Sequence, residues 1–365
     1  MAAPAPVRLK VRRRAFHPLT VSRVDRLTPD AVAVTFAVPD ELAEEFAFRP
    51  GQYLTLRRTV DGREERRSYS ICAPAGAAPR IGVRRVEGGL FSCWLVDQVR
   101  PGDVVEVLPP LGNFCPDLDE PAHHGMIAAG SGITPVLSIA ASVLAAHPDN
   151  RVSLLYGNRR TDTVMFAEEL ADLKDRYRDR LQLVHVLSRE PRDVELFSGR
   201  LDADRIGRLL DAVVPADDID EWWLCGPYGM VQDAQTVLTA RGVPAERVHH
   251  ELFYVDEPPP PLTRREDSRT PDGPVSEVAV LLDGRRTELM LPRDEPILDA
   301  AQRVRADLPF ACKGGVCGTC RARVVEGEVR MRRNYALEQH EVDAGFVLTC
   351  QALPVSEHVV VDFDA

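Results

Sequence analysis

From residue 16 to about residue 116, apolar side chains come in short runs that alternate with polar ones. The runs are LTVSRVDRL (19–27), AVAVTFAV (31–38), QYLTLRR (52–58), RSYSICA (67–73), RIGVRRV (80–86) and DVVEVLPP (103–110). A period of two puts one face of each run in a core, and the glycine and proline turns between them predict an antiparallel barrel. From His124 the rhythm changes. Nearly continuous apolar runs, GMIAAG (125–130), RVSLLYG (151–157), LQLVHVLS (181–188), EWWLCG (221–226) and RVHHELF (247–253), alternate with the helical stretches ITPVLSIAASVLAAH (133–147) and DTVMFAEELADLKDRY (162–177). Strand alternating with helix predicts a parallel sheet wound by right-handed crossovers.

The pattern stops at VDEPPPPLTRREDSRTPDGP (255–274), which has four consecutive prolines, scattered charge and almost no apolar side chains. Such a stretch cannot bury enough surface to fold and reads as a tether; twenty residues of flexible chain span roughly 25 Å. The expected division is therefore a barrel domain over 14–117, an α/β domain over 118–254, the linker 255–274, and a third domain over 275–365. At 365 residues the chain is long enough for two or three such cores. A net charge of −11 argues against nucleic acid as a partner. No apolar run approaches the roughly 20 residues of a membrane span, and the basic N-terminal MAAPAPVRLKVRRRAFHP lacks the apolar core of a secretory signal. The eight cysteines then belong to a reducing compartment, and a cytoplasmic location is expected.

The cysteines carry the first chemistry. CKGGVCGTC (312–320) has the spacing C-x4-C-x2-C, the plant-type pattern for a 2Fe–2S cluster, and Cys350 is the one cysteine downstream to complete four thiolates. Gly314, Gly315 and Gly318 suit a loop folded tightly round an inorganic core. Structural zinc is the rival reading, but it favours paired C-x2-C units or added histidines. The flanks PFACKGGVCGTCRARVVEGEV and LTCQALP resemble plant-type ferredoxins, which implies a β-grasp fold with Cys312, Cys317, Cys320 and Cys350 as metal ligands.

Three further motifs lie upstream. RSYS (67–70) offers an arginine for phosphate, a flat tyrosine ring and a serine hydroxyl; GGLFS (88–92) offers a glycine turn with free amides and a hydroxyl. In this order they resemble the flavin-binding barrel of the ferredoxin–NADP reductase family. The resemblance implies FAD held by Arg67, Ser68, Tyr69, Ser70, Val83, Gly89, Leu90, Phe91 and Ser92, with Arg67 and Ser92 near the pyrophosphate and Tyr69 and Ser70 at the ring. AAGSGITP (128–135) is a glycine turn between strand and helix, where backbone amides can approach a pyrophosphate. Pro135 replaces the last glycine of the usual G-x-G-x-x-G and fits a first helical turn. With CGPYGM (225–230) it matches the same family, implying nicotinamide-nucleotide contacts at Gly130, Gly132, Thr134, Pro135, Cys225, Gly226, Pro227 and Met230. The resemblance also sets Glu251 and Phe253 near the flavin, making Ser70, Cys225 and Glu251 the expected catalytic set. Arg159, Arg189 and Arg200, with Ser188, fall where strands end and could share the 2′-phosphate of NADPH, with NADH as the alternative donor.

Other features have plainer readings. Trp222 and Trp223 suit a core, and His249 and His250 face opposite ways in a strand. Cys72, Cys93 and Cys115 show no spacing logic and read as ordinary buried thiols.

The parts form a chemical series. A nicotinamide gives two electrons as hydride, a cluster takes one, and a flavin can mediate between them. The whole chain resembles reductase components of multicomponent oxygenases. FHPLTV (16–21), GSGITPVLSIA (130–140), YGNRRTDTVMFAEELADLKDRY (156–177) and HVLSREPRDVELFSGRLD (185–202) resemble the reductase family serving phenylacetyl-coenzyme A epoxidases. In that family the electrons go to a non-haem di-iron oxygenase partner. Reductases of ketosteroid hydroxylase or Rieske dioxygenase systems are the nearest alternative, and a redox sensor without turnover the more distant one.

Overall fold

The computed structural model describes residues 15–60, 63–253, 274–305 and 307–365. The basic stretch 1–14 and the proline-rich segment 255–274, apart from Pro274, lie outside them. The chain divides into two compact units, one covering 16–259 and one covering the C-terminal residues from 260. Among the described residues no helix is long and apolar enough to cross a membrane.

The first unit opens with the alternating runs. They become β1 (His17–Thr28), β2 (Ala31–Ala37), β3 (Tyr53–Val60), β4 (Arg63–Ser70), β5 (Arg80–Arg84) and β6 (Val104–Val107). The antiparallel order is β4-β3-β6-β1-β2-β5, and an Ile71–Ile81 bridge joins the ends of the two outer strands, closing the barrel. Inward-facing Leu19, Val34, Phe36, Leu54, Leu56 and Ile81 are completely buried. The glycine turn GGLFS leads into a helix, α1 (Leu90–Asp97), which buries Phe91, Ser92, Leu95 and Val96 against the barrel.

The continuous apolar runs become β7 (His123–Ala129), β8 (Arg151–Asn158), β9 (Leu181–Leu187), β10 (Glu221–Gly226) and β11 (Val248–Leu252). They pair in parallel in the order β11-β10-β7-β8-β9. The crossovers carry α2 (Ile133–Ala146), α3 (Ala167–Arg176), α4 (Ala203–Ala212) and α5 (Tyr228–Ala240). The strand order reverses on either side of β7, and such a switch point opens a crevice at the carboxyl ends of the strands. Trp222 and Trp223 are buried as their pattern predicts. The second helix starts later than the sequence suggests. A 3-10 turn occupies Thr161–Thr163, and Phe166 takes a left-handed backbone (φ 58°) before α3 begins.

Barrel and parallel sheet are locked together. Ser138 Oγ on α2 donates to Ala73 O at 2.6 Å, Ala75 N donates to Ser142 Oγ at 2.9 Å, and Arg80 on β5 pairs with Glu169 on α3 at 2.8 Å. Gly82 makes the closest approach: a Cβ there would lie 2.5 Å from Thr134 Cγ2 and 2.8 Å from Phe166 Cζ.

The second unit has its own core, centred on Val278, Val280, Leu291, Ile297, Leu298, Leu348 and Val361. Its elements are β12 (Val275–Leu282), β13 (Arg285–Pro292), α6 (Ile297–Ala301), β14 (Arg321–Glu326), β15 (Val329–Met331), α7 (Gln339–Asp343), β16 (Phe346–Leu348), β17 (Ala352–Pro354) and β18 (His358–Asp362). The main sheet runs β13-β12-β18-β14-β16; β12 and β18 are parallel and the other neighbours antiparallel, the β-grasp arrangement. The cysteine loop fills the crossover between α6 and β14.

Because Gly82 faces two side chains at contact distance, Gly82→Ala should destabilise the first unit by about 1–3 kcal/mol through overpacking. Denaturant unfolding followed by flavin fluorescence measures this, and an unchanged midpoint would contradict the close approach.

Candidate active site and cysteine centre

Ser70 ends β4, Cys225 lies near the end of β10, and Glu251 is on the edge strand β11. Parallel register sets Cys225 beside Glu251 on one side and beside Ala128, at the start of the glycine motif, on the other. Ser70 Oγ donates to Glu251 Oε1 at 2.5 Å, so a barrel side chain is tied to the last strand of the parallel sheet. The three residues grouped by motif resemblance are therefore brought together. Part of Glu251 is open to solvent, but its carboxyl is enclosed, and burial pushes that carboxyl up to about 7 while the Ser70 hydroxyl pulls it partly back. Burial, helped by the Glu251 charge, raises the fully covered Cys225 thiol well above its ordinary value. Cys115 is a second thiol within the field of Glu251, and with Cys93 it is only half-buried, which corrects the expectation of ordinary buried thiols.

The glycine motif is built for close approach. A Cβ on Gly132 would lie 2.1 Å from the Cys225 carbonyl oxygen and 2.9 Å from Gly226 N, so only glycine lets these two backbones meet. Gly130 takes φ 57°, and Tyr156 Oη donates to its carbonyl at 2.9 Å. Thr134 Oγ1 donates to Ser131 O at 3.0 Å, and Pro135 sits in the first turn of α2. Gly226, Pro227 and Met230 follow at the start of α5, with the Met230 methyl group against Gly226.

The barrel residues divide. Tyr69 packs against Phe91, ring centroids 6.3 Å apart, and burial raises its hydroxyl pKa. Ser68 Oγ lies 3.0 Å from Thr55 Oγ1. Ser92 Oγ accepts from Val86 N at 3.0 Å, and a Cβ on Gly89 would lie 2.6 Å from that oxygen, so the turn forms a tight cradle. Val83 is buried in the barrel core, whereas Leu90 is 54% exposed. Arg67 is exposed and held by Glu65 at 3.1 Å, and Phe253 is 39% exposed just after β11. The Gly89 and Gly132 clearances are taken up by the protein's own atoms, which keeps both turns compact; glycine turns at a helix start are where backbone amides can meet a phosphate.

At the far end of the crevice, the β8–β9 ladder continues past its strands. Ser188 N donates to Asn158 O at 2.9 Å and Arg189 N to Arg159 O at 2.8 Å. Leu187 bridges Ser198, so the chain carrying Arg200 runs beside β9. Arg159, Arg189 and Arg200 are all exposed at this end.

In the second unit, Lys313, Gly315 and Gly318 all have positive φ (52°, 79° and 66°), which curls the loop round its own sulfurs. Gly314 N lies 3.3 Å from Cys312 Sγ and Cys312 N lies 3.5 Å from Cys317 Sγ. Cys312 and Cys317 act most strongly on one another, as do Cys320 and Cys350. Hydrogen bonding from Cys317, with backbone N–H groups, lowers the Cys312 thiol against burial. Among the described residues no three His, Cys, Asp or Glu side chains converge on a single metal ion. Four thiols in the C-x4-C-x2-C spacing with one downstream cysteine suit a two-iron core held by four thiolates. The sequence reading missed the flanking support. Gln351 Nε2 donates to Lys313 O at 2.9 Å and approaches Cys350 Sγ at 3.6 Å, and Thr349 Oγ1 donates to Cys320 O at 2.9 Å. Two polar residues either side of a cysteine in an apolar run were the available signal.

Fold and site together define a flavin-dependent nicotinamide oxidoreductase joined to a cluster-bearing β-grasp unit. Family models agree: an oxidoreductase FAD-binding domain matches 18–115, an oxidoreductase NAD-binding domain 126–236, and a 2Fe-2S iron-sulfur cluster binding domain 280–355. The chain is 46% identical to a subunit of the 1,2-phenylacetyl-CoA epoxidase of Escherichia coli, covering 96% of this chain and 98% of that one. It is 37% identical to the ferredoxin reductase component of 3-ketosteroid-9-alpha-monooxygenase of Rhodococcus rhodochrous, covering 94% and 96%. The fold matches phthalate dioxygenase reductase with a TM-score of 0.56 at 22% identity, over 95% of this chain and 98% of that one. The chain belongs to the family of FAD- and 2Fe–2S-containing reductase components of multicomponent oxygenases, and it transfers electrons from NAD(P)H to FAD and on to the cluster.

The Glu251 carboxyl gives a pH prediction. Its folded value near 7 lies above the ordinary 4.5, so between them the native state keeps a proton that the unfolded chain has lost. Stability contributed by the protonated carboxyl is complete below 4.5 and is lost as pH rises towards about 7. Glu251→Gln cannot ionise and should remove that slope. Melting of the FAD-loaded protein below about pH 5 and above about pH 8 compares the two; parallel profiles would refute the assignment.

Proposed function

We propose that the donor is NADPH and that the acceptor beyond the cluster is a non-haem di-iron oxygenase of the phenylacetyl-coenzyme A epoxidase type. The observation that carries the donor site is the meeting of Ser70, Cys225 and Glu251 beside the glycine loop. The 46% identity over nearly the whole chain supports the choice of acceptor above the ketosteroid system, whose reductase component is 37% identical.

In this reading the barrel domain spans 14–117, the nicotinamide domain 118–254 and the ferredoxin-type domain 275–365. Tyr69 and Ser70 orient the flavin ring, while Arg67, Ser68, Val83, Gly89, Leu90, Phe91 and Ser92 hold the rest of FAD. Gly130, Gly132, Thr134, Pro135, Gly226, Pro227 and Met230 receive the nicotinamide nucleotide, Cys225 flanks its ring, and Phe253 covers the flavin. Bound FAD supplies the step that turns a two-electron donor into a one-electron source. Glu251 holds a proton at its carboxyl near neutral pH and exchanges it through Ser70 Oγ, 2.5 Å away. Cys225 is completely buried, which keeps water from the transfer. Cys312, Cys317, Cys320 and Cys350 ligate the cluster, and Arg159, Ser188, Arg189 and Arg200 take the 2′-phosphate.

Three experiments test this. Cys350→Ser should lose the cluster yet keep the flavin, because the cysteine loop belongs to a unit with its own core. Full iron and sulfide content in that variant would refute the ligand set. Arg189→Ala should lower kcat/KM for NADPH by about ten- to a hundredfold, the worth of a charge-assisted hydrogen bond, with little change for NADH. Equal losses for both cofactors would overturn the donor assignment. Co-purification of a di-iron oxygenase, rather than a Rieske component, would separate the two acceptors.

A further inference from the structure

Arg159 and Arg189 lie on the loops that leave β8 and β9, whose backbones are linked by the 2.8 Å bond from Arg189 N to Arg159 O. Both side chains are exposed. Three other arginines are in ion pairs: Arg160 with Asp162 at 3.4 Å, and Arg205 and Arg208 with Glu195 at 3.1 and 2.6 Å. No such ion pair engages Arg159 or Arg189 among the described residues.

Glu190, the residue after Arg189, does not turn its carboxylate to either of them. It reaches across to the β8 exit loop, where Oε2 accepts from Thr161 N at 2.8 Å and Oε1 accepts from Thr161 Oγ1 at 2.7 Å. That loop is closed on itself by Arg160 N to Thr163 Oγ1 at 3.1 Å and Thr163 Oγ1 to Arg160 O at 2.8 Å. A rigid turn is thus stapled to the β9 exit loop through both oxygens of one carboxylate. Each oxygen is engaged by Thr161, and neither is paired with Arg159 or Arg189.

We propose that Glu190 is a positioning residue for cofactor choice: by clasping Thr161 it holds Arg159 and Arg189 as a preformed pair for a phosphate monoester on the adenosine ribose. The inference rests on the NADPH reading above and adds to it the residue that holds the pair in place. Without the staple, part of the binding energy of the phosphate goes into ordering two loops.

The test uses the full-length, cofactor-loaded protein with Glu190→Ala, Glu190→Gln and Arg189→Ala. Steady-state reduction of ferricyanide gives kcat and KM for NADPH and NADH, and calorimetric binding of 2′,5′-ADP against 5′-AMP reads the phosphate alone. Glu190→Ala should raise KM for NADPH and weaken 2′,5′-ADP about tenfold, with kcat, NADH and 5′-AMP nearly unchanged. Glu190→Gln keeps an oxygen for Thr161 N–H and should recover most of the loss. An Arg189→Ala effect on NADPH without any Glu190→Ala effect would overturn the staple while leaving the donor reading intact. Tighter NADPH binding in Glu190→Ala would show that the carboxylate repels the phosphate, and equal losses for both nucleotides would make Glu190 merely structural. If Arg189→Ala spares NADPH, the donor reading fails and the inference falls with it.

Discussion

The hydrogen bond from Ser70 to Glu251 adds a polar tie between two folds that share a hydrophobic core, in which Ala31, Ala33, Cys72 and Phe114 of the barrel pack with the parallel sheet and its helices. The barrel closes on itself, and the parallel sheet buries its own faces under helices; neither requires the other for its ladder. Their junction requires small residues and exact backbone proximity. Gly82 must lack a side chain because Thr134 and Phe166 fill that space, while within the parallel-sheet half Gly132 must lack one because the Cys225 carbonyl occupies the position of a Cβ. With those clearances met, the edge strand β11 brings a carboxyl to a barrel hydroxyl at 2.5 Å. The same enclosure raises the carboxyl's proton affinity to a range where it can exchange a proton near neutrality. Packing at the junction and acid–base behaviour at the site are thus one constraint.

The cysteine centre obeys a different one. Three positive φ angles within six residues, one of them at Lys313, are costly unless something over-determines them. Here neighbouring backbone fixes the loop: Tyr335 N donates to Gly315 O at 3.0 Å, Arg321 N to Gly318 O at 3.0 Å, and Gln351 side chain to Lys313 O. A Cβ on Gly315 would press on Gln351 at 3.1 Å. The loop is therefore shaped by the strands after it, which is why Cys350 can arrive opposite Cys320 from thirty positions downstream.

Periodicity sufficed for the elements that bury a face. The two-residue alternation gave six barrel strands, and the apolar runs gave five parallel ones, because each run buries at least part of one face in a core. It failed where a local turn interrupts a helical composition. DTVMFAEELADLKDRY has helical spacing throughout, yet Phe166 adopts a left-handed backbone to pack against Gly82, and α3 begins only after it. GGLFS read as a turn but feeds directly into α1, since Phe91 and Leu95 share a buried face that a five-residue window does not reveal. The proximity of Ser70, Cys225 and Glu251 was legible through motif resemblance. The supporting contacts, Glu190 to Thr161 and Gln351 to Lys313, were not, because each links residues 29 and 38 positions apart through polar side chains that carry no period.

Exposure grades along the carboxyl edge of the parallel sheet. At β10 and β11, Cys225 is fully covered and the Glu251 carboxyl enclosed; at β8 and β9, Arg159 and Arg189 stand in solvent. The roles proposed for the two ends would account for the gradient. Electron-pair transfer benefits from a dry site, where hydrogen bonds and charges act at low dielectric. Recognition of a doubly charged phosphate would be prohibitive there, since burying two arginines without their ligand leaves uncompensated charge. In water each contact is weak and screened, so discrimination has to come from several guanidinium groups held in advance at fixed spacing. A long dinucleotide suits such a sheet because its reactive ring and its distinguishing phosphate lie at opposite ends. The crevice can then keep one end closed and the other open, with the glycine loop between them supplying uncharged backbone amides for the pyrophosphate.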